Sequence, residues 1–522
     1  MSQQQPQPAR VLIIGGGYAG AVCAAELAAA VAKEQASATA ATVVDAATTN
    51  GSAPCGSGSA AVAATPPAPP LLTITLVDPR DHLDAAFTHA RSLVEPKVAG
   101  PSLLPFAKMS ALSPVGVVRA RVVALEAPED QEGGSTTHNT SSSGKATLSD
   151  GSVLEFDYAV IATGSSYTFG KSSPASGEAT GRAARLREIQ QAAVLFAAGP
   201  TPSGRRPLRV LVVGGGPLGV EAAAELLTDV GAESVAEVTL VSASERLLPA
   251  MPARAGRLAQ SWLLGAKPPV AGRCRLLFGR RVCSDDPLMV AADAVVRGAS
   301  AMPRGLHAVG GVIVAEGGAT AALEAGSGGE PATVEYDVAI VATGIRRNTE
   351  FLAATLLKKQ QGEKGSSAPP PVPVDACLRV RGLRNVFAAG DCTDVPEEKL
   401  AFLAAGHGEL VARNIVALVR AARSTAAAAP TTTTTTTAPK PPPPQLREWK
   451  PSQGLPVAIV TLGRSYAIMC VGPLAAAGWL PTKLKSRNPL GFLAQYKRRF
   501  GMKASGEEGA EGEGDVAATA TR

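Results

Sequence analysis

Two glycine-rich turns in this chain carry the residue types that hold a diphosphate. In VLIIGGGYAG, Gly15, Gly17 and Gly20 follow a GxGxxG spacing between an apolar run and an Ala-rich one. The first glycine of such a turn lets the chain leave a strand sharply. The second lets the backbone approach a pyrophosphate, and the third lets the next helix pack close to the sheet. Gly16, Tyr18 and Ala19 complete the loop and belong to the same candidate cofactor site. The free N–H groups and the dipole of the helix start favour an anion there. RVLVVGGGPLGVEAAAELL (209–227) repeats the arrangement with Gly214, Gly216 and Gly219. Two such turns predict two dinucleotides, FAD and NAD(P)H, because a flavin accepts the hydride that a nicotinamide gives up.

Each turn needs a partner at the end of the next strand. Asp78, in LVDPRD, is placed to accept hydrogen bonds from ribose hydroxyls. The usual gap is ~20 residues; here it is longer, and removing a disordered insertion at 33–70 restores it. Ser242 stands at the corresponding place in EVTLVSASERLL, with Arg246 close behind. A serine does not repel a 2′-phosphate and an arginine can pair with one, so NADPH is expected alongside NADH. The competing reading of Arg246 is an ordinary surface charge.

The elements that position these residues are legible as a duplication. Strand, turn and helix at 10–29 recur at 209–227; LLTITLV recurs as EVTLV; LEFDYAVIATG (154–164) recurs as VEYDVAIVATG (334–344). The predicted fold is α/β, with two tandem Rossmann-like dinucleotide-binding domains and a small α+β C-terminal segment. The FAD domain is expected over 1–165 and 334–422, a connector over 166–206 and the NAD(P)H domain over 207–333. The Thr/Pro-rich 423–445 reads as a linker, 446–503 as ordered, and 504–522 as a disordered acidic tail. Within 446–503, LPVAIVTLG and RSYAIMCVG read as two strands around a Gly-Arg turn.

The composition allows folded domains, with 45% hydrophobic and 18% charged residues. The net charge of +6 over 522 residues gives no argument for nucleic acid. The scattered cysteines, without a CxxC pair, suit a reducing, cytoplasmic setting. The first strand starts at about Arg10, so no leader peptide is expected, and Ser2 does not fit a myristoylation signal. No metal site is expected, since HExxH and metal-ligand spacings are missing.

With these motifs in place, the chain resembles the pyridine-nucleotide oxidoreductases of the glutathione-reductase fold. Ala162-Thr163-Gly164 matches that family's second flavin contact, with Gly344 ending the counterpart ATG, and Ala389-Gly390-Asp391 matches the third. The resemblance implies that Asp391 holds the ribityl–phosphate portion of FAD. Within the fold the chain is similar to the apoptosis-inducing-factor-like, ferroptosis-suppressor quinone reductases, through LVDPRDHLDAAFTHARSLVEP, GDCTDVPEEKLAFLAAGHG and LGRSY…LKSRNPL. That likeness implies flavin contacts at Arg91 and Val122, a flavin-tuning role for Lys399, and a nicotinamide-facing acid at Glu221. It also implies a quinone-like acceptor.

The residues leave other outcomes open. Disulfide reductases of this fold carry a CxxxxC after the first acid strand, but Asp81 to Leu104 contains no cysteine, so electrons are expected to pass straight from flavin to an outside acceptor. Cys392 reads as packing, and His82 and His89 as surface-loop residues. A soluble reductase acting on a protein or monodehydroascorbate, and an NAD(P)H-sensing interaction protein, are the alternatives. Apolar 455–482 followed by seven Lys or Arg between Lys483 and Lys503 suggests peripheral membrane contact, with an inter-domain or dimer face as the alternative. The sequence leaves the oligomeric state open.

Overall fold

A computed structural model describes residues 7–48, 69–127, 143–168, 181–197, 206–265, 269–299, 301–324, 332–353, 355–357, 369–427, 444–451, 457–486 and 490–502. Its first sheet is five parallel strands in the order Val386–Ala388, Tyr158–Ile161, Ala9–Ile14, Leu72–Val77 and Val115–Val118. The central strand ends in four buried residues, Val11 to Ile14, as expected of a parallel strand covered on both faces. Helix Tyr18–Thr48 covers one side and packs along helix Ala401–Ala427. A Cβ on Gly408 would overlap the Ala19 carbonyl, so a glycine is what lets these two helices approach.

The second sheet repeats the plan. Cys274–Leu277, Val235–Val241, Leu208–Val213 and Ala332–Val341 run parallel, and Val312–Leu323 and Leu306–Val309 extend the sheet antiparallel. The registers correspond: Ile13 lies between Leu76 and Val160, and Val212 between Leu240 and Ile340. The duplicated sequence therefore folds twice into one pattern.

Two expected boundaries move. The segment at 33–70 was expected to be disordered from its start, but the first helix runs through it as far as Thr48. Alanine carries the highest helix propensity, and the Ala-rich run, with Lys33, Glu34 and Gln35 at its start, extends a helix already nucleated by packing. Residues 49–68 lie outside the described residues. Helix Ala401–Ala427 likewise enters the expected linker, and 428–443 and the 503–522 tail lie outside the described residues. The connector contains a helix, Arg182–Ala197.

The C-terminal segment forms the expected hairpin, Val457–Leu462 with Tyr466–Val471, and adds a third strand, Leu474–Ala477. Val460, Leu462, Ile468 and Cys470 join the core of the second domain, whereas Leu493 and Phe500 join that of the first. The segment thus straddles both domains. Helix residues Ala401–Thr425 are long and apolar enough to cross a membrane, yet 56% of that window is buried inside the protein, as suits a core helix.

Candidate functional site

The first cradle is built by close backbone approach. Gly15 N–H donates to the Val77 carbonyl at 2.8 Å, and Ala162 N–H to the Ile14 carbonyl at 2.8 Å. Gly15 has φ +105, and a Cβ there would strike the Ala162 carbonyl. A Cβ on Gly20 would strike the Gly15 carbonyl, whereas one on Gly17 would meet nothing within 4 Å. The second cradle copies this. Gly214, at φ +122, approaches Ala342, Gly219 approaches Gly214, and Gly216 faces open space. In each turn the first and third glycines are enforced by packing, and the second opens the side where a diphosphate fits.

Asp78 lies directly beneath the first cradle. Gly16 N–H donates to its Oδ2 at 2.6 Å, and Arg80 donates from its backbone N–H at 2.8 Å and its guanidinium at 3.1 and 3.2 Å. This one guanidinium and the two amides hold the buried Asp78 carboxyl below the usual range, against the opposing effect of burial. The carboxylate's lone pairs are filled, so a ribose hydroxyl reaches it only where Arg80 gives way. Tyr18, in the same turn, is stacked near Phe87 and tilted against Tyr496 at 4.6 Å between ring centroids. Its buried hydroxyl has no hydrogen-bond partner among the described residues, so a polar cofactor atom would satisfy it.

Ser242 occupies the place that Asp78 has in the first half. It is buried, and a Cβ on Gly215 would lie 2.5 Å from its Oγ. Arg246 departs from the expectation of a 2′-phosphate partner. Its guanidinium donates to the carbonyls of Leu248, Pro249 and Met251 at 3.0, 2.5 and 2.9 Å. The loop bends back through Leu248, at φ 52, and turns those carbonyls toward the arginine.

The two ATG turns are joined. Ser165–Ser166 and Arg346–Arg347, which follow them, pair antiparallel, and Asn348 donates to the Thr163 carbonyl at 2.9 Å and to the Gly164 carbonyl at 3.1 Å. Ser165 Oγ donates to Asp391 Oδ2 at 2.7 Å. Gly390 N–H donates to His407 Nδ1 at 3.0 Å, and His407 is braced by Glu397 at 2.8 Å and edge-on Trp449. Lys399 bonds the Thr393 and Val395 carbonyls at 3.4 and 3.1 Å beside this turn, and burial lowers its pKa. Ser165, Asn348, His407 and Trp449 were not foreseen. They surround motif residues without forming a motif, and only the serine's position after an ATG offered a signal. Cys392 is buried, with its thiol on the Ile161 carbonyl at 3.3 Å and its pKa pushed up to about 11 by burial.

Two residues carried over from the family resemblance are engaged elsewhere. Arg91 is buried and pairs with Glu225 at 2.9 Å and Asp229 at 3.3 Å, on the helix of the second cradle. It ties the two domains together, whereas a flavin contact was expected. Glu221 Oε1 accepts from Thr461 N–H at 2.9 Å, Thr461 Oγ1 at 3.0 Å and Lys485 Nζ at 2.6 Å. A buried carboxylate turns to where donors exist, and the C-terminal segment supplies three. Glu221 and Arg91 nonetheless line one small cavity, together with Phe87 and Thr461. Val122 is buried in the accessory sheet of the first domain, opposite Leu148. His82 and His89, expected on a surface loop, are 0% and 5% exposed because the loop is folded back under the connector helix. No cluster of metal-ligating groups occurs among the described residues.

Residues 9–265 match the family model described as pyridine nucleotide-disulphide oxidoreductase. Over these residues, just under half of its length, the chain is similar to that family. Both cradles, with their open glycines, fit the two nucleotides, FAD and NAD(P)H. Ferroptosis suppressor protein 1 of Taeniopygia guttata is 26% identical over 274 residues, or 52% of this chain and 58% of that protein. The match thus spans less than two thirds of the relative's length. Among solved structures, sulfide:quinone oxidoreductase from Aquifex aeolicus aligns over 94% of this chain and 92% of its own at a TM-score of 0.56 and 15% identity. NDH2 from Plasmodium falciparum in complex with NADH aligns over 95% and 96% at 0.54 and 11%. These two likenesses concern the fold.

Proposed function

We propose that the chain passes a hydride from NAD(P)H to FAD and the electrons onward to a quinone, working against a lipid surface. The observation that carries the acceptor reading is the cysteine-free stretch from Asp81 to Leu104, where disulfide reductases of this fold hold their dithiol. With no thiol relay there, the acceptor must be reduced directly. The flavin, when bound, supplies the two-electron chemistry. The chain's own residues position it: the cradle at Gly15 for the diphosphate, Asp391 for the ribityl portion, and Lys399 as a cation beside that turn. The cradle at Gly214 and the buried Ser242 serve the nicotinamide nucleotide. Ferroptosis suppressor protein 1 as the curated relative, and a quinone oxidoreductase among the fold relatives, support the same class of acceptor.

The lipid reading rests on apolar side chains gathered at the C-terminal segment. Leu474 is 71% exposed and Trp479 65%, with Val457, Leu480 and Leu484 also exposed. Lys483 sits 4.9 Å over the Trp479 ring, a pairing suited to the interface between acyl chains and headgroups.

The test is an absorbance spectrum of the purified protein, followed by NAD(P)H oxidation with short-chain ubiquinone, ferredoxin or monodehydroascorbate. A yellow protein that prefers ubiquinone is expected. A flavin-loaded protein that ignores ubiquinone but reduces one of the others overturns the acceptor. Co-sedimentation with anionic liposomes should fall in a Trp479→Ala, Leu480→Ala, Leu484→Ala variant; equal pelleting removes the lipid reading.

A further inference from the structure

Between the first ATG turn and the cradle lies a chain of titratable groups that the hydride path does not use. His89 Nε2 is 2.7 Å from Asp84 Oδ1, and its Nδ1 is 3.2 Å from the Tyr167 hydroxyl. Asp84 Oδ2 accepts from Arg185 Nε at 3.2 Å. The carboxylate fixes the proton on Nε2, which leaves Nδ1 to accept from the phenol. His89 is 5% exposed and Arg185 1%, while Asp84 and Tyr167 are partly exposed, so the imidazole is held from both sides and solvent reaches the ends of the chain. This is the logic of a nucleophile–histidine–acid triad, with a phenol at the working end.

The phenol closely follows the first ATG turn in the chain. Tyr167 follows Ser165 by two residues, and Ser165 bonds Asp391. The charged and titratable groups around the trio are Arg80 and Arg185 on the cationic side, and Asp84, Asp391 and Tyr18 on the other. Burial, Asp84 and Asp391 all raise the Tyr167 pKa, so the phenol keeps its proton until one is delivered behind it. A lock between two elements would be complete with His89 and Asp84. The third member extends the chain to the Asp391 side.

We propose that Tyr167, His89 and Asp84 form a proton relay for the redox reaction, with the imidazole as proton store and the phenol as outlet. The inference rests on the two-electron reduction of a quinone proposed above. A quinone takes up two electrons and two protons; the hydride supplies both electrons and one proton, and the medium supplies the other. In the relay the Tyr167 O–H bond breaks as an O–H bond forms on the quinone oxygen. Nδ1–H of the imidazolium then reprotonates the phenolate. Asp84 stabilises the imidazolium beforehand, and the neutral imidazole recovers its proton from solvent. The net transfer is one proton from solvent to product.

The test uses the full chain loaded with FAD. The chain has five histidines, and His89→Gln identifies the imidazole signals of His89 by their loss from the NMR spectrum. At one pH these signals are expected to move on dithionite reduction of the flavin. Signals that stay in place in both states overturn the relay whatever the acceptor is. With short-chain ubiquinone, kcat should fall as pH rises. His89→Gln and Tyr167→Phe should lower kcat about 10²-fold and flatten that profile, while bleaching of the flavin by NADH is unchanged. Added imidazole should restore turnover to His89→Gly. A glutamine variant that keeps the wild-type pH profile makes His89 a packing residue and overturns the proposal. If the wild type reduces no quinone, the acceptor reading fails by itself, and the NMR comparison still decides the relay.

Discussion

Lys485 Nζ lies 2.6 Å from Glu221 Oε1 across 264 positions of sequence. Glu221, Glu225 and Asp229 follow one another at four-residue spacing on the second cradle helix, so they share a face. Lys485 meets the first, Arg91 the second and third, and Arg464 the third, while Arg464 also reaches Glu95 at 3.1 Å. One helical face thereby gathers the first domain and the C-terminal hairpin onto the second domain.

Lys485→Met leaves Glu221 buried with only Thr461 to bond it. Removing one partner of a buried pair costs about 3–5 kcal/mol. Urea unfolding should show a lower midpoint, and the double variant Glu221→Gln, Lys485→Met should recover part of the loss. A single variant as stable as wild type would mean that the pair is immaterial to stability.

Glu225 gives a pH dependence of defined sign. Burial pushes its pKa up to about 8 despite Arg91, and the proton has a place on Oε2, which is buried without a partner among the described residues. An unfolded glutamate titrates near about 4.3. Between these values the unfolded state is ionised and the folded state is not, so stability should fall as pH rises from about 4.3 to 8. Glu225→Gln should reduce that slope in denaturation series at several pH values; an unchanged slope would refute the assignment.

Arg246→Ala should lower the melting temperature, because three carbonyls lose their donor, while the ratio of kcat/KM for NADH and NADPH stays within about twofold. An arginine pairing with a 2′-phosphate would instead be worth 1.4 kcal/mol or more, about a tenfold change in that ratio. Steady-state kinetics with both nucleotides decides between them.

The two cradles should fail separately. Gly15→Ala forces a Cβ into the Ala162 carbonyl at a strained φ and should yield colourless protein. Gly214→Ala should bind FAD and remain yellow, but its flavin should bleach at least tenfold more slowly with NADH. Stopped-flow absorbance distinguishes these outcomes, and a yellow Gly15→Ala protein would contradict the first.

The acid at Asp78 was legible because it ends an apolar strand after a glycine turn, but its saturation by Arg80 was not. Local sequence specifies where a carboxylate stands, and only packing specifies which donors surround it. The same limit explains Arg246. Its nearness to Ser242 in sequence suggested a phosphate, and the bend at Leu248 directed the guanidinium to carbonyls.

By itself the sequence determined two strand–glycine–helix units, their duplicated ATG strands and the absence of a dithiol, because each depends on residue type and short-range spacing. The tertiary structure decided that Glu221 and Arg91 hold domains together, and that His89 is buried between Asp84 and Tyr167. Those outcomes depend on charged side chains brought together over long sequence separations, where a buried charge takes the nearest available partner. No local pattern encodes which partner that is.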